Sequence, residues 1–523
     1  MTVLNDTNPH NSGHGHDHSK VIDIGDGLIM RWSTKADTDN VVQLIGDSFR
    51  WLPLGDPLPE DEIPGPSELL KAGARRLLSG KTAAMSEYDF ALVEDTTNKA
   101  KGLNPIVACV SLHQVPAYYG SINLVFGKSE LVATEPSYRN KGLIRRLMHE
   151  MIHPASEARG HALQFIFGIP YFYRQFGYEY GLSPLPGSKI DSLTDIPPLS
   201  PTKQGEPYPL RLATQTDIPF LTRLSQTPHQ YLQPREVAVG TRYTPEYWQY
   251  AVHDSILDRQ SRFDADRQTF VITDGEGKAV GFVSMSHIFF GTTVEAFALD
   301  EAEGVYYVDV AYSALRQLFG FAKERQAQNT KAFEDFKKSA AKAKTNQTPA
   351  SATEEAQAAA ATLEPNASLR ASTSPASAYP LFLKTVRPEL ELRLAQNPAI
   401  KGTSCRLRLD FFRKVEGNAA KGLEIVIEKG QLVKIHDWAK PSPEDLFNEK
   451  QAWKSDEKNG GKAPTVYYAT FSPLTFTQLV TGKQSLEELI WSYGENSVRE
   501  DAARLILNTL FPKVEHSMDL FDW

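Results

Sequence analysis

Residues 131–180 constrain the fold of this chain more than any other stretch. A short apolar run at 131–134 ends at a Glu-Pro pair, and a basic turn, Arg139-Asn140-Lys141-Gly142, follows it. Apolar residues then recur at helical spacing between Leu143 and Ile152. A second apolar run at 163–169 leads into a loop rich in tyrosine and phenylalanine. The pattern predicts strand, turn, helix, strand and aromatic loop, in that order.

The basic turn is a predicted anion site. The first N–H groups of a helix have no partner within the helix, and the helix dipole places positive charge at the same end. Gly142 lets the backbone approach an anion closely because it has no side chain. The alternative is an ordinary βαβ unit with a basic turn on its surface, and local sequence leaves that alternative open.

Two motifs in this stretch resemble a known family. Arg139-x-x-Gly142-x-Ile144 after a short strand resembles the acyl-CoA pyrophosphate loop of GNAT-superfamily N-acetyltransferases. Tyr173-x-x-Phe176-Gly177-Tyr178 is similar to the Eis-like branch, the enhanced intracellular survival proteins. The resemblance implies acetyl-CoA as co-substrate and no metal. It implies a set of cofactor-binding residues on the strand, turn and helix: Val132, Thr134, Arg139, Asn140, Lys141, Gly142, Leu143, Ile144 and Arg145.

The resemblance also implies catalytic roles. Tyr173 matches the first tyrosine of the family pattern, the position that protonates the departing thiolate, and a phenol suits that task. In Eis-like enzymes the C-terminal carboxylate enters the active site, which here is the carboxylate of Trp523. Phe521 and Trp523 make the chain end apolar, as expected of a docked terminus. Glu130 is kept as an alternative base.

Composition sets limits on location and partners. The formal net charge of −8 argues against general nucleic-acid binding and mildly favours cationic ligands. Two distant cysteines, Cys109 and Cys405, make neither a disulfide framework nor a zinc pattern. The N-terminal residues lack the features of a secretory signal, and no apolar run reaches the ~18 residues of a membrane span. We therefore expect a cytoplasmic protein without membrane partners.

The chain of 523 residues predicts about three domains. Residues 1–20 read as a disordered His-rich tail, 21–195 as the catalytic domain, and 336–376 as a disordered insertion. Residues 207–398 read as a second copy of the first fold, because 208–217 repeats the Arg, Thr and Asp offsets of 28–37. In that copy a strand is expected at 305–310, and 311–315 replaces the basic turn without a glycine or a cation. The copy is therefore expected to lack a cofactor.

Residues 399–523 alternate as strands and end in helices, a layout that resembles a sterol-carrier-protein-like domain. The fold class is α+β: two tandem GNAT folds with mixed sheets, followed by that α/β domain. Two GNAT copies with such a domain are the Eis-like architecture, and the resemblance implies a homo-oligomer.

The expected activity is acetyl-CoA-dependent N-acetylation of a primary amine by direct attack in a ternary complex. The acceptor is a cationic small molecule or a lysine side chain, and the sequence does not choose between them. The alternative is a non-catalytic acyl-CoA sensor or scaffold.

Overall fold

The computed structural model describes the chain in segments, and the statements below concern these residues: 17–51, 65–66, 68–167, 171–183, 188–189, 196–199, 201, 205–226, 237–254, 266–287, 292–300, 305–324, 370–372, 378–412, 422–442, 444–445, 447–449, 451 and 464–518. The tail at 1–16, most of the predicted insertion and the last five residues lie outside them.

The described strands, in chain order, are β1 (Val21–Gly25), β2 (Leu28–Trp32), β3 (Arg50–Trp51), β4 (Gly65–Pro66), β5 (Phe90–Asp95), β6 (Ile106–Tyr119), β7 (Ile122–Thr134), β8 (Leu163–Ile166), β9 (Tyr178–Glu179), β10 (Ser188–Lys189), β11 (Leu210–Leu212), β12 (Val237–Thr241), β13 (Asp266–Thr273), β14 (Ala279–His287), β15 (Thr292–Leu299), β16 (Arg370–Ser372), β17 (Cys405–Phe411), β18 (Gly422–Glu428), β19 (Gln431–Trp438), β20 (Thr465–Phe471), β21 (Ser497–Val498) and β22 (Glu515–Ser517).

The described α-helices are Thr38–Ser48, Glu68–Leu77, Thr96–Ala100, Leu143–Arg146, His153–Ala158, Ile218–Gln226, Pro245–Gln249, 307–324, Ala378–Thr385, Arg387–Gln396, the described residues of 444–451, Pro473–Val480, Leu486–Ser492 and Asp501–Leu510. A π-helical segment, Leu147–Ile152, joins the fourth and fifth into one helix over 143–158, called the motif helix below. Pro154 has no N–H to donate to Glu150 O, and the Lys20 ammonium donates to that carbonyl at 3.3 Å.

The largest sheet is mixed. Its order is β1-β2-β5-β6-β7-β8-β16-β9, and all these pairs are antiparallel except β7 with β8. The first eight residues of β6 are buried because layers cover both faces of the sheet, which explains their nearly continuous apolar sequence. The motif helix packs on one face, and the helices Thr38–Ser48 and Glu68–Leu77 pack on the other.

The sequence repeat is visible in a shared helix cap. The Arg31 guanidinium donates to both Asp37 carboxylate oxygens at 2.8 and 2.6 Å, and Arg211 does the same to Asp217 at 2.8 and 2.7 Å. The preceding threonines, Thr34 and Thr214, complete the same capping box. Strand order repeats as well, since β11-β13-β14-β15 follows the order β2-β5-β6-β7.

The strand predicted at 305–310 is wrong. A helix occupies 307–324, and the fourth strand of the repeat is β15, which ends at Leu299. The segment that corresponds to the basic turn is therefore 300–306 rather than 311–315. It does contain a glycine, Gly304, but Asp300, Glu301 and Glu303 replace the cations. Negative charge repels phosphate, so we still expect the second copy to lack a cofactor. The reason is the acidic character of this segment rather than the lack of a glycine.

The C-terminal sheet has the order β19-β18-β17-β20-β21. Its inner face shares one core with the β6–β7 hairpin of the first sheet and with the helix pair 378–396. Tyr119, at the hairpin end, donates to Val480 O at 2.8 Å, and Arg393 donates to Tyr119 Oη at 3.2 Å. The helix pair precedes the predicted boundary at 399 yet packs with the C-terminal strands.

Three short strands of the first sheet come from distant parts of the chain. β12 pairs with the end of β6, and β22 pairs with β12. β16 pairs with β8 and β9, so Arg370–Ser372 corrects the prediction that all of 336–376 is disordered. Backbone pairing with an exposed edge needs little sequence specificity, which is why periodicity does not reveal such strands.

Among the described residues, no helix combines the length and apolar character needed to cross a bilayer.

Candidate active site

The candidate site lies where β7 and β8 part. The two strands pair in parallel only from Phe126 to Ser129, opposite Leu163 to Ile166. β7 then continues to Thr134, and none of the described strands pairs with its last five residues on that side. The edge of β7 is therefore open there, and Ser129 marks the vertex where the strands begin to diverge.

A β-bulge lies just beyond the vertex. Ser111 pairs with Glu130 and Cys109 with Ala133, so Leu131 and Val132 together face one residue of β6. Leu131 has φ +49°, in the left-handed region that side chains other than glycine disfavour. Its side chain is buried against the helix Thr38–Ser48, and this packing holds the unfavourable backbone conformation in place.

The bulge sets the direction of the backbone groups along the open edge. Glu135 N–H donates to Val107 O at 2.9 Å, so the groups of Ala133 and Glu135 point toward β6. Because backbone groups alternate in direction along a strand, those of Val132 and Thr134 point toward the open side. These are the two strand residues predicted to meet the pantetheine arm.

The basic turn is exposed and strongly curved. Asn140 has φ +63° and Gly142 has φ +73°, so two left-handed residues flank Lys141 before the helix begins at Leu143. Such turns direct successive N–H groups into a concave anion-binding nest. Arg139 and Lys141 are exposed, and the Lys141 ammonium lies 4.5 Å from the Tyr138 ring centroid. The turn thus has the donors and charge that a pyrophosphate group needs.

The other predicted cofactor residues differ in what they expose. Leu143 is buried and Ile144 is half-buried in the core beneath the motif helix. Because their side chains face this core, these residues can contact a ligand through their backbone groups. Arg145 donates to Gln175 Oε1 at 2.7 Å, and its guanidinium lies 5.4 Å from the Phe176 ring centroid. Arg145 therefore ties the motif helix to the aromatic loop.

Tyr173 lies in a 3-10 helix, Phe172–Phe176, between left-handed residues at Tyr171 and Gly177. Its side chain is 5% exposed and belongs to the same core as the first turns of the motif helix. Its ring centroid is 6.1 Å from that of Tyr178. The aromatic packing that the sequence suggested is therefore present, and the predicted acid lies within it.

Tyr178 connects this loop to the vertex. Its hydroxyl is within 3.5 Å of Ser129 Oγ and 3.4 Å of both His153 Nε2 and Gln164 Oε1. Burial raises the pKa of Tyr178 above its ordinary value and lowers that of His153 to about 3, so both are neutral near pH 7. Tyr173 is thus placed beside a neutral polar cluster at the point where the strands diverge.

Glu130, the alternative base, is the first β7 residue beyond the vertex. Its carboxylate lies 3.4 Å from the ammonium of Lys128, a side chain only 1% exposed. The same ammonium is 5.1 Å from the Phe167 ring centroid. Nothing in the local sequence indicated this pair, because a lysine within a strand usually faces solvent.

Trp523, the other predicted catalytic residue, lies outside the described residues. The described chain ends at Met518, which is fully buried, and its N–H donates to Ser183 O at 3.4 Å. Ser183 follows the aromatic loop by three residues. The five remaining residues can reach at most about 17 Å when extended.

The comparisons with known proteins agree with this geometry. Residues 76–181 match the family model described as "Acetyltransferase (GNAT) domain". This part of the chain is a GNAT acetyltransferase domain. The GNAT domain contains the bulged strand, the basic turn, the motif helix and Tyr173. The GNAT assignment made from the Arg139–Ile144 motif is therefore confirmed for this region.

Solved structures extend the similarity in fold to most of the chain. A probable N-acyltransferase from Enterococcus faecalis V583 is 14% identical, with a TM-score of 0.52, over 94% of this chain and 99% of that one. A GCN5-related N-acetyltransferase from Kribbella flavida is 13% identical, with a TM-score of 0.51, over 94% and 98%. Eis1 from Mycobacterium abscessus is 9% identical, with a TM-score of 0.46, over 94% and 99%. None of the curated proteins matches the sequence.

Proposed function

We propose that the protein is an acetyl-CoA-dependent N-acetyltransferase that acts on a primary amine. The observation that carries this proposal is the open edge of β7, which leads from the vertex at Ser129 to the cationic turn at 139–142. An acyl-CoA has the matching order of groups: a thioester, an arm with two amides, and a pyrophosphate. The amides suit the backbone groups of Val132 and Thr134, and the pyrophosphate suits the turn.

The reaction needs one bond formed and one broken. The neutral amine nitrogen attacks the thioester carbonyl carbon, the C–S bond breaks, and the thiolate takes the hydroxyl proton of Tyr173. A backbone N–H beside the bulge polarises the carbonyl oxygen. The attacking nitrogen loses a proton through water to a carboxylate. That carboxylate then releases its proton to water and the Tyr173 phenolate regains one from water, so the enzyme returns to its starting state.

Two carboxylates are candidates for that last role, Trp523 and Glu130. Direct proton transfer from an alkylammonium, with pKa ~10.4, to a carboxylate whose acid has pKa ~3.5 is unfavourable by about 9 kcal/mol. The carboxylate therefore serves mainly to hold the acceptor cation and to pass its proton to water. Of the two, Glu130 is the one that lies within the described residues, next to the vertex and 3.4 Å from the Lys128 nitrogen.

The same proposal covers the rest of the architecture. The repeated cap at Asp37 and Asp217 and the repeated strand order support a second GNAT fold. The acidic residues between β15 and the helix at 307–324 support the absence of a cofactor from it. The sterol-carrier-protein-like character of 399–523 and the homo-oligomer remain predictions from the resemblance, and the cytoplasmic location remains a prediction from the composition and the N-terminal sequence.

The test measures the thiol released from acetyl-CoA in the presence of each amine of a panel, and it compares the wild type with Tyr173→Phe. We expect Tyr173→Phe to lower kcat with little change in acetyl-CoA affinity, because the turn is untouched. Phe176→Leu, in the same 3-10 helix, controls for disturbed packing. Acetyl-CoA binding by the wild type without turnover on any amine would refute catalysis and favour the acyl-CoA sensor.

A further inference from the structure

Tyr138, the residue before the basic turn, is tied to a distant strand. Its hydroxyl donates to Asp95 Oδ2 and accepts from Asn98 Nδ2 at 3.4 Å. Asp95 ends β5, and its other carboxylate oxygen accepts from the N–H groups of Thr97 and Asn98 at 2.7 and 3.2 Å, which caps the helix Thr96–Ala100. Tyr138 therefore fastens the start of the turn to a carboxylate 43 residues earlier in the chain.

The two partners of this hydrogen bond differ in charge. The hydrogen bond to Asp95 raises the pKa of Tyr138 to about 12, so the phenol keeps its proton near pH 7. Burial opposes the ionisation of Asp95, but hydrogen bonds from Thr97 and Tyr138 outweigh it and lower the pKa of this carboxyl to about 2. Tyr138 is thus the donor to a carboxylate, and such charge-assisted bonds are stronger than those between neutral groups. With its hydroxyl used as both donor and acceptor, the ring is held in one orientation.

The ring of Tyr138 in turn holds one cation of the basic turn. The Lys141 ammonium lies over this ring, 4.5 Å from its centroid. A phenol that donates to a carboxylate carries more negative charge, which strengthens the attraction of its ring for a cation. Lys141 is exposed between the left-handed residues Asn140 and Gly142, and a lysine there without such a contact would sample many rotamers. The contact with Tyr138 therefore limits where the ammonium lies at the anion site.

We propose that Tyr138 is a positioning residue for the acyl donor: held by Asp95, its ring places the Lys141 ammonium where that ammonium meets the pyrophosphate of acetyl-CoA. This inference rests on the proposed N-acetyltransferase function and adds how the turn recognises its donor. Tyr138 acts through Lys141 and takes part in no proton transfer. Its loss should therefore weaken donor binding and leave kcat unchanged.

Two substitutions separate the ring from its bond to Asp95. Tyr138→Leu removes both, and calorimetric titration should show a Kd for acetyl-CoA about two- to fivefold higher than in the wild type, the size of an exposed cation–π contact. Tyr138→Phe keeps a ring but loses the hydrogen bond, so its Kd should lie between these two values. Tyr119→Phe is the matched control, because it removes a buried tyrosine hydroxyl that donates to Val480 O at the end of β6. Its Kd for acetyl-CoA should equal that of the wild type.

The donor can be varied as well as the protein. S-acetylpantetheine has the thioester and both amides of acetyl-CoA but no phosphate group, whereas acetyl-dephospho-CoA lacks only the 3′-phosphate and keeps the pyrophosphate. Tyr138→Leu should lower kcat/KM about two- to fivefold with acetyl-CoA and with acetyl-dephospho-CoA, and should leave it unchanged with S-acetylpantetheine. Disturbed folding would instead affect all three donors alike. The decisive measurement repeats Tyr138→Leu in the Lys141→Gln background, where the Kd for acetyl-CoA should rise no further because the two changes are non-additive.

Three results would overturn the proposal and leave the proposed function standing: an unchanged Kd in Tyr138→Leu, an equal loss in the wild-type and Lys141→Gln backgrounds, or an equal loss of kcat/KM with S-acetylpantetheine. A loss that disappears with acetyl-dephospho-CoA would also contradict it, since the pyrophosphate is still present there. Failure of the proposed function looks different, because the wild type would then bind acetyl-CoA and acetylate no amine of the panel. The titrations measure binding alone, so they would still decide whether Tyr138 places the Lys141 ammonium.

Discussion

Gly142→Ala tests whether the left-handed turn is the acyl-CoA site. Gly142 has φ +73°, and an alanine held there costs about 1–2 kcal/mol. A Cβ at Gly142 meets no atom within 4 Å, so no steric clash is added to this backbone strain. In the free protein the effect of the substitution therefore comes from the conformational preference of one residue, and in the complex the added Cβ would also crowd an anion bound at this turn.

The strain can appear in either of two measurements. If the substituted residue stays left-handed in the free protein, the free energy of unfolding falls by about 1–2 kcal/mol. If the turn relaxes and must be restored on binding, the Kd for acetyl-CoA rises by about five- to thirtyfold instead, at ~1.4 kcal/mol per factor of ten. The two changes together should account for at least the full strain, since crowding of the bound pyrophosphate by the Cβ adds to the change in Kd.

Gly160→Ala is the matched control. Gly160 has φ +71° at the other end of the same motif helix, and a Cβ there also meets no atom within 4 Å. This variant should lose stability like Gly142→Ala but keep the wild-type affinity. Calorimetric titration with acetyl-CoA and denaturant unfolding measure both quantities. Equal affinity and stability in Gly142→Ala and wild type would refute the reasoning, as would an affinity loss of the same size in Gly160→Ala.

Three further predictions concern charge. Burial lowers the pKa of His516 from 6.5 to about 4, so between these pH values the unfolded state binds a proton that the folded state does not. When the pH is lowered across this window, the free energy of unfolding should fall by about 3 kcal/mol more in the wild type than in His516→Phe. Parallel pH profiles of the two proteins would contradict this. The double variant Arg139→Gln/Lys141→Gln should bind acetyl-CoA about tenfold more weakly than the wild type at low salt, and the difference should be much smaller at 1 M salt. Titration calorimetry measures both affinities. A loss of affinity that does not depend on salt would contradict a role of charge. Arg408 donates to Glu424 at 2.7 Å inside the C-terminal sheet, and Arg406 donates to the other oxygen of the same carboxylate at 3.2 Å. Arg408→Met therefore removes one of two arginine partners and should cost about 1.5–3 kcal/mol in denaturant unfolding, with acetyl-CoA affinity unchanged. A loss below about 1 kcal/mol would show that Arg406 alone is sufficient for this carboxylate.

Local sequence predicted the elements whose causes are local. The helix cap at Thr34–Asp37 and its copy at Thr214–Asp217 each depend on side chains three residues apart, so both could be found by comparing offsets. Ser485 caps the helix Leu486–Ser492 for the same local reason, since its hydroxyl accepts from Glu488 N–H at 3.2 Å. The left-handed turn at Gly142 likewise follows from the residue type.

Strand propensity predicted the wrong element where tertiary packing determines the local structure. Residues 305–310, VYYVDV, are rich in strand formers, yet a helix begins at 307 because its apolar face packs on the second sheet. The bulge at Leu131 depends on register with β6 twenty residues earlier, and the burial of Lys128 depends on the strands around it. No window of a few residues contains that information.

The sequence alone predicted an acyl-CoA pyrophosphate site at 139–144, because a basic turn, a glycine and a helix start are adjacent in the chain. Only the tertiary structure decided what surrounds that turn: the open edge of β7, the neutral cluster at Tyr178, and the contact between His516 and Ser183, which are 333 residues apart. The physical reason is that local conformation follows from neighbouring side chains, whereas strand register and docking depend on which distant surfaces bury each other.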